Sequence, residues 1–477
     1  MIYTSFNFLI FFPAVALIYY LTPSKYRWIT LLIASYFFYI NIKPVYALLT
    51  AGITLFTFLF TRLIDSTTSE LKKKRYMVTN IVLILLPLFF FKYFSIINNE
   101  LLALLENHSL RWPLPEIKLI LPVGISFYTF MAIGYTIDVY NEEIKSEKNI
   151  GILALFVSFF PLVLSGPIER AKNMLPQFRA QKILNYDMVV KGLKFMLWGY
   201  FMKLVVADRI GIYIDVVYHD VSQCNGTSLL IASLLRPFQI YADLGGYTLI
   251  AIGTAKVLGF NVMCNFNRPF FATSMGEFWR RWHISLITWL TDYIYTPLSF
   301  SFRKLRIWGI VLALLITFLI SGIWHKASLN FVVWGLMQGI FLSLEALTNS
   351  KRFALDKRYA FSKNPIFKFV SIAMTYLLFS ASLVLGRAAN MGDVIKIYEK
   401  IFTNQGTPYL DLTTLAYSFF GIFLIMFKDF KDEFYPGKLS FFSNRKIWIR
   451  YLSYLIVIFL IIIFGVFEGN RFLYFQF

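Results

Sequence analysis

The 307–324 run contains no charged side chain. At roughly 18 residues it matches a helix that crosses a bilayer. Many other stretches of about 18 to 22 residues along the chain are of the same kind. In hydrocarbon a backbone must satisfy its own hydrogen bonds, so a chain of such segments folds as helices. Only 15% of the 477 residues are charged and 58% are hydrophobic, whereas soluble domains are about 25% charged. The sequence therefore predicts an all-α polytopic membrane protein, one intramembrane domain over 1–477, with no segment of soluble-domain size.

The net charge of +20 would point to nucleic acid in a soluble chain. Here the Lys and Arg residues gather in a few loops, at 62–75, 170–191, 303–306, 351–368 and 428–450. The positive-inside rule accounts for that pattern, and no nucleic-acid partner is expected. The two cysteines, Cys224 and Cys264, form no C-x-x-C pair, and no cluster has metal-ligand spacing, so no metal is expected. The N-terminal MIYTSFNFLIFFPAVALIYYL has neither a basic start nor a small-residue cleavage site and reads as a retained first span.

An exterior N-terminus places Lys25, Arg27, the KKKR run at 72–75, Lys145, 351–368 and 428–450 inside. The alternation holds if two regions, about 155–185 and 264–300, enter and return. That gives about 11–12 crossings, with both termini outside and the re-entrant segments beside an internal cavity, because irregular backbone at membrane depth needs burial or a water-lined space.

The second of these regions is NRPFFATSMGEFWRRWHISLITWLTDYIYTPL. Thr273 or Ser274 can cap a helix, and Glu277 three residues after Ser274 has capping-box spacing, which predicts a helix from there to about Tyr295, stopped by Pro297. On that helix Arg281, Ser285, Thr288, Asp292 and Tyr295 form a polar stripe, and His283 lies opposite with Trp279 and Trp282.

Four histidines occur in the chain. His325 ends the 307–324 run, and a histidine held out of water can accept a proton near neutral pH. It reads either as a general base or as an interhelical hydrogen bond. His283 reads either as an inward catalytic group or as a packing residue. His108 and His219 fall in expected exterior loops without chemistry. Asp243, one turn from Tyr247 in FQIYADLGGYT, is an intramembrane acid and therefore a pathway, ion or structural residue. Arg280, Arg281 and Arg268 suit either carrier phosphates or lipid headgroups.

These segments resemble the membrane-bound O-acyltransferase family, in its bacterial alginate and peptidoglycan O-acetyltransferase branch, with the teichoic-acid D-alanyl transferases as cousins. The matching blocks are LPVGISFYTF (121–130), IDVY (137–140), SGPIER (165–170), FQIYADLGGYTLIAIG (238–253), FNRPFFATSMGEFWRRWHISLITWLTDYIYTPL (266–298) and GIWHKASLNFVVWGL (322–336). They define a family-like core at about 118–340, with peripheral helices at 1–100 and 365–470. Three positions depart from the family pattern. Lys326 stands where glycine is usual, Gln338 where many bacterial members carry another histidine, and ADLGGYT replaces the usual F-D-F-S-G-Y-S.

The resemblance implies a ring of tilted helices around a central cavity. It makes His325 catalytic, with His283 orienting a thioester or stabilising developing charge. The expected substrate-binding residues are Arg280, Arg281, Trp279, Asp243, Tyr247, Trp324 and Asn330. No bound cofactor is expected, and acetyl-CoA or another acyl thioester would be the donor. Expected partners are membrane lipid, the acyl donor or its carrier, an envelope glycan, and a periplasmic or extracellular acetyltransferase protein. The implied location is the bacterial inner membrane. Other functions compatible with these residues are D-alanyl or other acyl transfer to teichoic acid, a non-enzymatic acyl channel or transporter, and an inactive scaffold.

Overall fold

A computed structural model describes residues 1–94, 97–98, 101–102, 105, 122–409, 412–437 and 441–467. His108 and the C-terminal residue, on which expectations were placed, lie outside the described residues. Every regular element among the described residues is helical. Seven helices among the described residues are long and apolar enough to cross a membrane: Pro44–Ser66, Glu70–Phe94, Ile307–His325, Leu329–Tyr359, Pro365–Arg387, Leu412–Phe434 and Ile447–Phe464. Phe6–Leu21 is a shorter apolar helix. The chain is thus a multi-pass membrane protein.

The described residues divide into two compact units. The first comprises 1–196 with 250–263. Several of its buried polar groups are satisfied within or between helices, as hydrocarbon favours. In the Pro44–Ser66 helix the buried hydroxyls of Thr54, Thr57 and Thr61 each donate to a carbonyl one turn back, at 2.7 Å. Asn80 donates to the Thr136 hydroxyl on another helix at 2.9 Å. The 155–185 stretch is broken among short helices at Ile150–Ser158, Phe160–Val163 and Ala171–Arg179.

The second unit comprises 197–249 with 264–477 and contains both candidate histidines, His283 and His325. Ile307–His325 and Leu329–Tyr359 form a helical hairpin whose backbones touch. A Cβ on Gly322 would lie 2.2 Å from the Phe331 carbonyl oxygen, and one on Gly335 2.3 Å from that of Phe318. Helices in lipid approach this closely only over small residues.

The 264–300 region departs from the single helix that its sequence predicts. Met275–Arg281 is one helix, capped as expected by the Ser274 side chain, which accepts from the Glu277 amide at 3.2 Å. It ends before His283, whose backbone is left-handed at φ 46 and ψ 47, and a second helix runs from Ile284 to Leu290. The 265–267 segment causes the break. Asn267 N–H donates to the Arg281 carbonyl at 2.9 Å, and the Asn265 carbonyl accepts from Ile284 N–H at 2.9 Å. Those groups are therefore lost to the helical ladder. The break rotates the expected polar stripe, and Ser285 becomes fully buried. Pro297 does not stop the chain. It sits in the first turn of Thr296–Ser301, where a missing N–H costs nothing.

Candidate active site

Within the second unit lies a cavity of about 60 Å³ whose walls include Arg236, Trp279, His283, Ser321, His325 and Trp334. That volume holds a few water-sized groups, so it suits the reacting end of a substrate. Apolar side chains, Phe331, Phe379 and Leu383 among them, complete the wall.

His325 is the last residue of the Ile307–His325 helix and is half-buried. The chain turns extended at Lys326, and the next helix starts from Ser328. This tight connection brings Trp334 back over the imidazole. Trp324 also lies against it, with ring centroids 4.6 Å apart.

His283 is 2% exposed and sits at the break between the two short helices. A left-handed backbone at a non-glycine residue costs about 1–3 kcal/mol and persists only where the surroundings enforce it. Here the backbone bonds from 265–267 do so, and Asn265 Oδ1 lies 3.2 Å from His283 Nδ1.

The third polar wall is the Arg236 guanidinium. It is 3% exposed within the Gly226–Val257 helix and donates to the Gln239 side chain. The two acids close enough to act on it, Asp215 and Asp243, are held by other cations, Arg387 at 2.9 Å and Lys203 at 2.6 Å. Arg236 was missed in the sequence, although the signal was present: it is a lone cation in the apolar run LLIASLLRPFQIYADL. Asn265 was also missed, and nothing in NFNRP marks it.

Of the expected binding residues, the structure places Trp279 on the cavity wall beside both histidines. It puts Asp243 and Tyr247 elsewhere, in a buried ion cluster. Lys203 Nζ lies 2.6 Å from both Asp243 and Asp208, and 5.5 Å from the centre of the Tyr247 ring. Arg281 is taken up by Glu433 at 3.0 Å and Glu277 at 2.7 Å, while Arg280 is exposed. Asn330 donates to the Ala388 carbonyl at 3.1 Å, bracing the start of its helix. Of the departing positions, Lys326 is exposed. Gln338 is fully buried one turn past Trp334, and neither of its amide atoms has a hydrogen-bond partner among the described residues. Among the described residues no group of three or more His, Cys, Asp or Glu is placed to hold a metal.

Residues 136–384 match the model of the membrane-bound O-acyltransferase family. That is more than half of the chain. The chain belongs to the membrane-bound O-acyltransferase family. Every cavity wall named above falls inside the matched segment. Among its relatives in this family, the probable alginate O-acetylase AlgI of Pseudomonas aeruginosa is 33% identical, over 84% of this chain and 75% of its own length. The peptidoglycan O-acetyltransferase of Helicobacter pylori is 30% identical, over 82% of this chain and 76% of its own. The teichoic acid D-alanyltransferase of Streptococcus thermophilus is 27% identical over 49% of this chain and 59% of its own. The protein is a membrane O-acyltransferase.

Proposed function

We propose that this membrane-bound O-acyltransferase moves an acetyl group from a cytoplasmic thioester, acetyl-CoA or an acyl carrier, to a hydroxyl of an alginate- or peptidoglycan-type envelope polysaccharide or of a periplasmic partner protein. The observation that carries this reading is one small cavity walled by His283, His325 and Arg236. Acetyl rather than D-alanyl transfer is favoured because the two acetyl-transferring relatives align over most of this chain, whereas the D-alanyl relative aligns over about half.

In this mechanism His325 takes the proton of the acceptor hydroxyl as its oxygen attacks the thioester carbonyl carbon. The carbonyl oxygen becomes an oxyanion, and the Arg236 guanidinium offsets its charge. Collapse breaks the C–S bond, and the departing thiolate takes the proton from the His325 imidazolium. His283 orients the thioester. A positioned base contributes roughly 10²- to 10⁴-fold. Trp279, Trp334 and Phe379 exclude water that would otherwise hydrolyse the donor.

The chain works as a single transferase domain in the bacterial inner membrane, with its termini outside and its basic segments at 72–75 and 351–368 on the donor side. A separate exterior protein completes delivery to the glycan. The test is the alkali-labile acetyl content of envelope polysaccharide in cells lacking the protein. Loss of ester in the deletion, restored by the wild-type chain, is expected; unchanged ester content refutes the proposal.

A further inference from the structure

The Asn265 side chain sits where three groups converge. Its Oδ1 accepts the Ser285 backbone N–H at 3.2 Å and the Ser285 hydroxyl at 3.0 Å, and lies 3.2 Å from His283 Nδ1. A backbone N–H only donates, so the amide atom facing it is the oxygen, and the flipped side chain is excluded. The other end agrees: Asn265 Nδ2 points to the Thr248 hydroxyl at 3.4 Å. An amide oxygen only accepts. The proton of a neutral His283 ring therefore sits on Nδ1, and the lone pair sits on Nε2.

We infer that Asn265 is a positioning residue that locks His283 as the Nδ1–H tautomer, so that the ring offers the substrate an acceptor nitrogen and not a donor. The inference rests on the catalytic reading of His283 and fixes which atom acts. In this tautomer His283 cannot donate to the thioester carbonyl oxygen or to the oxyanion formed from it. Nε2 instead accepts from an N–H or O–H of the substrate, such as the amide of the donor arm or the attacking hydroxyl. Stabilising the oxyanion falls to Arg236, the permanently charged group among the cavity walls. The other titratable group on the wall is His325, which by the reading above works as the base.

The same contact holds the backbone. Asn265 belongs to the segment that breaks the helix at His283, so one residue sets both the position of the ring and its protonation. A metal-ligating histidine is commonly oriented in this way through its other nitrogen, and loss of such a partner typically costs roughly 10–100-fold; the same scale is expected here.

The test uses the full chain in nanodiscs with nitrogen-15-labelled histidine. Four histidines give four ring signals, and His283→Asn identifies the relevant one by its disappearance. The expected wild-type pattern is a protonated Nδ1 and a bare Nε2. A wild-type signal with Nε2–H overturns the inference and needs no variant that might misfold. Asn265→Leu removes the acceptor and should mix or invert the tautomer, with transfer lowered roughly 10–100-fold in kcat/KM for the thioester. Asn265→Asp keeps an acceptor and should keep both the Nδ1–H pattern and most of the activity. An unchanged tautomer in Asn265→Leu, or equal loss in the Asp and Leu variants, also overturns it. If the tautomer is as expected but His283→Ala transfers acetyl normally, the catalytic reading of His283 fails and the assignment of its proton stands.

Discussion

The imidazole of His325 stands edge-on to the indole of Trp334, with ring centroids 5.3 Å apart and planes at 88°. The two residues come from successive helices joined by a short turn, so the proposed base is held by the helix that follows it. Trp334→Ala should reduce acetyl transfer at least 10-fold and lower stability by about 3–5 kcal/mol, the usual cost of emptying an aromatic site. Trp334→Phe should retain most of the activity. Single-turnover transfer and the melting midpoint in detergent measure the two effects.

The hairpin that sets this geometry depends on Gly322 and Gly335. An added methyl at either would meet a backbone carbonyl, which cannot move aside. Gly322→Ala should therefore cost about 1–3 kcal/mol as overpacking does, and lower kcat by shifting His325. Gly52 is the control, because nothing lies within 4 Å of a Cβ there. Gly52→Ala should leave melting and turnover unchanged.

The Lys203 cluster gives an ordered pair of outcomes. Lys203→Met leaves Asp208 and Asp243 buried together without their cation, which should cost about 3–5 kcal/mol. Asp243→Asn leaves the Lys203–Asp208 contact at 2.6 Å and should be milder. Because Asp243 lies off the cavity wall, folded Asp243→Asn protein should transfer acetyl at a near-normal rate. A large kcat defect in well-folded protein would return Asp243 to the substrate site.

Much of this was legible in the sequence for physical reasons. Charge-free segments of spanning length leave a chain little choice but helix. A histidine at the end of one of them, and Ser274 three residues before Glu277, marked real structural positions. The break at His283 was not legible, because Asn265 and Asn267 impose it from outside the helix and periodicity within 275–295 carries no trace of it. The fate of Asp243 was open for a related reason. Its partner Lys203 lies 40 positions away, and spacing along one helix does not reveal it. Arg236 was visible by the same rule that flagged Asp243.

Orientation in the membrane is testable through the small number of thiols. With Cys224 and Cys264 replaced by serine, a single cysteine at Lys73 should resist a membrane-impermeant maleimide in intact cells and react after permeabilisation. A cysteine at His219 should react in intact cells. Labelling at position 73 without permeabilisation would reverse the orientation and place the donor on the other face.

The central claim is that His325 is the base for acyl transfer in the cavity it shares with His283. The most direct measurement is the rate of transfer of a labelled acetyl group from a thioester to an acceptor hydroxyl by purified His325→Ala protein that melts like the wild type. A fall of roughly 10²- to 10⁴-fold with little change in donor affinity is the expected result; a rate within severalfold of wild type would contradict it.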